Sequence, residues 1–439
     1  MAITSCSVYE LFIFLSFFIF IPLPCLTINP KHHGLTVDLI HRDSPLSPLY
    51  NLDTTFWDKA EKLYESSIRR YAYITSKRSD KYRTDLSIDD FVYLAKFTIG
   101  EPAVDVFTII DTGSDLLWIQ CKPCTHCEQQ SVPIYDRTKS TTYGNITCNS
   151  WDCKLVKGPS CDSQNVCNYR IQYEDRSYSY GFLATESLSF KNSKGEVTGT
   201  IKNMVFGCGI NNHNSVLGPL SGVLGLAATP LSLVTRLHPT TQPKFSYCLN
   251  NASDPSSKGN LIVGEDSHIS GFSTPFIFDQ GCYQVFLVDI KMGSKSLDIP
   301  RKVFGSTGNV ILDSGTTYTF LPPEAHNKVV DAISQTIKKF KVRQFASTRK
   351  GELGYSGSIG KDLNGFPTMT INFLGNAKLV LERWSIFIPE GNSAFCLSFL
   401  PNSGPNEKSV IGSMAQQFYN FGFDFATYHL SIIHSVCIY

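Results

Sequence analysis

Two short stretches of this chain carry the same acidic pattern. "FTIIDTGSDLLWIQ" (Phe107 to Gln120) and "NVILDSGTTYTFLP" (Asn309 to Pro322) each run apolar residues into an aspartate, a hydroxyl residue and a glycine. Each then returns to mostly apolar residues. The glycines, Gly113 and Gly315, permit a tight loop that turns a carboxylate out of a buried strand. The hydroxyls Thr112 and Ser114, and Ser314 and Thr316, can donate hydrogen bonds that fix the loop and favour the ionised acid. One Asp-Gly turn is commonplace. Two, each behind Ile-Ile or Ile-Leu, invite a pairing. If each sits in one of two similar lobes related by an approximate two-fold axis, Asp111 and Asp313 face each other.

Two facing carboxylates cannot both ionise easily. One pKa falls, the other rises, and the pair holds one proton across an acidic range. The ionised member can activate water while the protonated one polarises a carbonyl. That is hydrolysis without a covalent intermediate. Other chemistries fit less well. The ten histidines lie without ligand spacing, and no Gly-x-Ser-x-Gly supports a serine triad. Carboxylate pairs that hydrolyse glycans stand further apart and lack this doubled context. No metal and no cofactor is expected.

The rest of the chain must position that pair. At 439 residues it is too long for one ordinary core. A net charge of +1 gives no electrostatic case for nucleic acid or an anionic membrane as partner. Leu11 to Leu26 is uncharged and crowded with Phe, Leu and Ile, which reads as a secretory signal over residues 1–26. An uncleaved anchor is the competing reading, and Pro22, Pro24 and the short length weigh against it. Twelve of the 14 cysteines lie beyond residue 26, an even and dense set that reads as disulfides. Cys121-x-x-Cys124-x-x-Cys127 with His126 inside it could suggest zinc, but further cysteines follow closely in the same oxidising context. Sequons at Asn145 and Asn251 fit a glycosylated secreted chain.

Residues 27–85 lack cysteine. "TTFWDKAEKLYESSIRRYAYITSKR" places Phe56, Ala60, Leu63 and Ile68 near helical spacing. Arg69, Arg70, Lys77, Arg78, Lys81 and Arg83 make its end basic. A helical basic segment between a signal and a disulfide-rich body reads as a pro-segment, with a permanently attached helical domain as the alternative. From about Phe91 the texture is β, in short β-branched and aromatic runs punctuated by Gly, Pro and Asn. Pro322 to Phe340 is the one clear helix beyond it. The lobes are expected over 86–245 and 246–439.

"DTGSDLLWIQCKPCTHC", "SGVLGLA", "FSYCL" and "ILDSGTTYTFLP", with "LTVDLIHRDSPLSPLYN" before them, resemble a pepsin-family aspartic endopeptidase of the plant nepenthesin-like branch. The resemblance covers nearly everything from Phe91 onward. It implies an all-β, bilobal fold with the cleft between two similar lobes. It implies that Asp111 and Asp313 form the dyad and that Ser114 and Thr316 hold their outer oxygens. Thr112 and Ser314 would tie the loops together, and "VLGL" around Gly225 and "VIGS" around Gly412 would complete them. Tyr173 stands where the family has its flap tyrosine, with Tyr178 and Tyr180 close enough to compete for the part. Trp118 resembles that tyrosine's partner, or is a plain core aromatic.

The implied protein is a monomeric endopeptidase, made as a zymogen, acting on protein substrates at acidic pH. It would be secreted to an apoplast-like space, with the vacuole as the second compartment. The other class is a catalytically inactive binding protein of the glycosidase-inhibitor type. Two departures stand out. The flap reads Tyr173-Glu174-Asp175-Arg176-Ser177, without the family's glycines. Gly354 stands where the branch has a cysteine, so Cys282 is expected to replace it as the partner of Cys396.

Overall fold

A computed structural model describes residues 35–76 and 93–439, apart from positions 113, 157, 173–177, 192–196, 214–218, 238–242, 252–253, 255–257, 280, 306–308, 405–406, 436 and 438–439. The expected signal lies outside the described residues, as does the flap from Tyr173 to Ser177. The fold is mostly β and bilobal, as the sequence patterning suggests.

The first strand, β1 (Leu35–His41), alternates Leu35, Val37 and Leu39 into the core. It is followed by the helix α1 (Phe56–Ser76). Next come β2 (Tyr93–Ile99), β3 (Val104–Asp111) and β4 (Trp118–Lys122). β2 buries both faces except at Lys96, and β3 pairs with it antiparallel from Leu94↔Ile109 to Ile99↔Val104. Apolar, β-branched residues on both sides suit strands covered on both faces.

β1 joins the two halves of the chain. On one side it pairs antiparallel with β2, Leu39↔Ala95 to His41↔Tyr93. On the other it pairs antiparallel with strand Lys258–Val263, from Leu35↔Val263 to Ile40↔Lys258. The expected pro-segment therefore contributes an interior strand, with backbone bonds on both edges.

The helix expected at Pro322 is found as Pro323–Ile337, with Ala325, Val329, Ile333 and Ile337 buried. α1 also forms where expected, but its buried face differs from the apolar stripe read in the sequence. Phe56 and Ile68 are exposed, while Ser66, Ser67 and Arg70 are buried. The face is polar because it packs onto the acidic loops described next.

Candidate active site

Each Asp loop is built the same way. β3 ends at Asp111, and strand Gly222–Gly225 runs parallel beside it with Gly225 opposite Asp111. Leu226 N–H donates to Asp111 O at 2.8 Å, and Ala227 N–H to Ser114 O at 2.9 Å. In the second half, strand Asn309–Leu312 leads into Asp313, and Ser409–Ile411 runs parallel with Ile411 opposite Leu312. Asp313 N–H donates to Ile411 O at 3.2 Å, and Ser413 N–H to Thr316 O at 2.6 Å.

The two glycines flanking these strands are sterically required. A Cβ on Gly225 would lie 2.4 Å from the Asp115 carbonyl carbon, and one on Gly412 2.3 Å from the Tyr318 carbonyl oxygen. The repeated sequence motif is thus a repeated device: a strand presents the carboxylate and a parallel neighbour, ending in glycine, seats the loop.

Both carboxylates are about 2% exposed. Between them lies Arg70 of α1, itself 1% exposed. Its Nε donates to Asp313 Oδ2 at 3.0 Å and its Nη2 to Asp313 Oδ1 at 2.9 Å. The same Nη2 donates to Asp111 Oδ1 at 3.1 Å. One nitrogen touching both acids puts those two oxygens no more than 6.0 Å apart, the sum of its contacts. The fork-shaped guanidinium meets Asp313 with two parallel bonds, the strongest pairing a carboxylate makes. Gly315 lets it lie close, since a Cβ there would stand 3.0 Å from Arg70 Cζ.

Thr316 Oγ1 donates a hydrogen bond to Asp313 Oδ2. The matching Ser114 hydroxyl behaves differently. It is buried and has no hydrogen-bond partner among the described residues, so the expected Ser114 to Asp111 bond is not made beside Arg70. Thr112 and Ser314 are buried next to the pair. Among the described residues no hydrogen bond joins their hydroxyls across the two loops. Gly113 lies outside the described residues.

The helix carrying Arg70 is anchored at several further points. Ser67 Oγ accepts from Thr317 N–H at 3.0 Å and Tyr318 N–H at 3.3 Å. Tyr71 stacks on Phe320 with ring centroids 4.2 Å apart, and its hydroxyl donates to Lys408 O at 3.1 Å. Burial pushes the Tyr71 phenol well up, so it remains neutral. Tyr64 meets Tyr318 edge-on at 5.9 Å and donates to Lys350 O at 2.9 Å. Under Tyr64 lies a buried charged group: Arg349 binds Glu352 at 2.6 Å, pairs with Glu390 and reaches Glu61 of the helix at 3.6 Å. Tyr318, in the Asp313 loop, donates to Glu352 Oε1 at 2.6 Å.

Beneath the start of α1 a cavity of about 350 Å³ remains, walled by Leu63, Thr317, Trp384, Ile388 and Met414. Sequence reasoning found the basic end of the helix but not Arg70's inward aim. The signal available was a hydroxyl-rich face at helical spacing, Ser66, Ser67 and Arg70, which an apolar-stripe reading passes over.

Trp118 opens β4, is 1% exposed and packs with Leu94, Ile109, Tyr169 and Val223. Its expected partner Tyr173 lies outside the described residues. Tyr178 begins the following strand and donates to Asn211 Oδ1 at 3.3 Å. Asn145 is exposed and Asn251 half-buried, so glycan attachment at Asn145 meets no steric bar.

Disulfides join Cys121–Cys208, Cys124–Cys127, Cys148–Cys161, Cys153–Cys167 and Cys248–Cys437. The expected Cys282–Cys396 bridge is not formed; both are buried and outside any disulfide. The reason is positional. Cys396 lies directly across an antiparallel pair from Gly354, the residue standing in the cysteine's place, while Cys282 begins a different strand.

Family comparisons agree with this geometry. Family models described as the N-terminal and C-terminal parts of a xylanase inhibitor match residues 93–265 and 282–433. A probable aspartic protease of Arabidopsis thaliana is 33% identical, covering 97% of this chain and 98% of its own length. Aspartic proteinase nepenthesin-2 of Nepenthes gracilis is 30% identical, covering 92% and 90%. Among solved structures, edgp superposes with a TM-score of 0.65 at 15% identity, covering 93% of this chain and 96% of that one. The basic 7S globulin of soybean gives 0.60 at 19%, covering 79% and 92%. The chain belongs to the plant pepsin-like aspartic proteases, in the atypical branch that contains the nepenthesins.

Proposed function

We propose that this chain is the latent precursor of a secreted acid endopeptidase, with Asp111 and Asp313 as its catalytic pair and α1 as the segment that blocks them. The observation that carries the reading is the Arg70 guanidinium bound to both carboxylates in a nearly dry site. Two anions held that close with one cation are stable as a resting state and chemically idle, because the position a water must take is occupied.

Once α1 withdraws, the two acids share a proton, and a water takes the vacated place. The ionised carboxylate removes a proton from that water as its oxygen attacks the peptide carbonyl carbon. The protonated carboxyl gives its proton to the carbonyl oxygen, and a tetrahedral diol forms. The first carboxyl then passes its proton to the amide nitrogen, the C–N bond breaks, and one diol hydroxyl gives its proton to the other carboxylate, leaving acid and amine products and the pair with one proton again. Phe320, Ile388 and Met414, which share one apolar cluster with Tyr71 and Ile74 of α1, are uncovered when the helix leaves. They favour apolar side chains next to the scissile bond of an extended substrate.

The test is expression of the full chain, Arg70→Ala and Asp111→Asn, each assayed on a denatured protein across acidic pH. The parent is expected to show a lag that Arg70→Ala abolishes, and Asp111→Asn no cleavage. Folded parent that cleaves nothing after its first residues are removed overturns the reading. It would favour a binding protein instead, which the xylanase-inhibitor description of the matching family models supports.

A further inference from the structure

We propose that His126, Glu128 and His213 form a divalent transition-metal site, best suited to zinc, that staples the cysteine-rich loop to the end of strand Val197–His213. The sequence weighs against zinc on the loop's cysteines because further cysteines follow in the same oxidising context, and all three are in disulfides, Cys124 with Cys127 and Cys121 with Cys208. The fold supplies a different donor set. One ligand atom from each of His126, Glu128 and His213 lies within 4.8 Å of the others. His126 Nε2 and Glu128 Oε1 are already 3.4 Å apart. That is about the edge of a tetrahedron drawn by bonds of roughly 2.0–2.1 Å around zinc. Two imidazoles and a carboxylate form a borderline set that zinc accepts and that calcium and magnesium, which want several oxygens, do not.

The backbone under these side chains is held firmly. Thr125 N–H and His126 N–H both donate to Ile210 O, at 2.8 and 3.1 Å, and Asn212 N–H donates to His126 O at 3.0 Å. Glu128 N–H donates to Gln120 Oε1 at 2.7 Å. The Cys124–Cys127 disulfide closes the loop around His126, and Cys121–Cys208 joins the same two elements at their other end. His213 is paired in register with Tyr178 and its ring lies 5.9 Å from that tyrosine's. The three side chains are half-buried or exposed, so rotation about their own bonds closes the remaining separation without moving the backbone. Two histidines 87 positions apart, the offset between 126 and 213, show no ligand spacing in sequence. The same offset separates Cys121 from Cys208, and the shared register of the two elements brings both pairs together.

The alternative is an ordinary His126–Glu128 ion pair with His213 nearby. Calorimetric titration of the full, chelator-washed chain with zinc chloride near neutral pH separates the two. Neutral imidazole is the ligand form, so that pH favours binding. Parent, His126→Ala, His213→Ala and Glu128→Gln are compared, with calcium and magnesium chloride as controls. One equivalent of zinc is expected to bind the parent. Each histidine variant should weaken it by at least about 10–100-fold, and calcium and magnesium should give no saturable heat. Circular dichroism of the metal-free variants should match the parent, because the residues lie at the surface. No saturable zinc binding by the parent, or binding unchanged in both histidine variants, overturns the site. The readout is direct binding, so it stands or falls independently of proteolysis.

Discussion

Protonation of His41 should loosen the segment formed by β1 and α1 as pH falls. His41 is the last residue of β1 and is nearly fully buried. Its ring stands edge-on to Tyr93 at 5.4 Å, and its Nδ1 accepts from Asp43 N–H at 3.2 Å. An accepting Nδ1 means a neutral ring, and protonation destroys that acceptor. Burial lowers its pKa from 6.5 to about 4; Arg42 and Lys59 push the same way, and Asp43 opposes them. The docked state therefore binds this proton less readily than the released segment, so the contribution is complete above the free value of 6.5 and drains away as pH falls towards 4. At about 1.36 kcal/mol per pKa unit, about 2 kcal/mol is lost by roughly pH 5 and about 3 kcal/mol by roughly pH 4. That is a large part of a typical net stability of about 5–15 kcal/mol.

The comparison is parent against His41→Phe, which keeps the aromatic shape on Tyr93. Hydrogen exchange of β1 and α1 amides, corrected for intrinsic rate, is followed from neutral pH to about pH 4. The parent should lose roughly 100-fold more protection than the variant over that span, the equivalent of about 3 kcal/mol. Effects of the Asp111–Arg70–Asp313 group are common to both chains and cancel in the difference. Equal pH dependence in the two would refute the argument, whatever the absolute protection.

Three other outcomes follow from the packing. Tyr71→Ala removes the ring stacked on Phe320 and should weaken helix docking by about 3–5 kcal/mol, seen as loss of latency in the cleavage assay and of α1 exchange protection. Gly412→Ala drives a Cβ to within 2.3 Å of the Tyr318 carbonyl oxygen. It should cost about 1–3 kcal/mol or more in denaturant unfolding and abolish cleavage; an unchanged midpoint would show that the loop is not held this tightly. Alkylation without reductant should mark Cys282 and Cys396 only after denaturation, since both are buried and burial pushes the Cys396 thiol up. A disulfide-linked peptide pair joining the two would contradict this arrangement.

The dyad was legible because its chemistry is local: aspartate, glycine and hydroxyls are contiguous, and the duplication gives away the pairing. The glycine-ended strands that seat each loop were legible as "VLGL" and "VIGS" only through the family resemblance. The latch was only half legible. Basic character at Arg69 and Arg70 is a sequence property, but which arginine enters the cleft depends on how a whole helix is rotated, and α1 rotates by its polar contacts at Ser67 and Tyr71. Cys282 misled because a count of cysteines carries no direction; strand register, which puts Gly354 opposite Cys396, decides who can bond. His126 and His213 were invisible for a related reason, since only the alignment of two distant segments makes them neighbours.

β1 has a consequence for the proposed release of the N-terminal segment. It is a keystone, bonded on both edges, to β2 on one side and to Lys258–Val263 on the other. Pulling it out leaves two bare edges facing each other across roughly 9.5 Å, twice the spacing of neighbouring strands. Such a socket fits one extended chain and is apolar where Leu35, Val37 and Leu39 sat. Excision alone would leave a protein with an adhesive seam through its middle, ready to take up any strand of matching alternation, including one from a neighbouring copy. If activation removes this segment as proposed, it is a substitution as much as a removal: another stretch of chain fills the socket, or the two halves slide together until it closes.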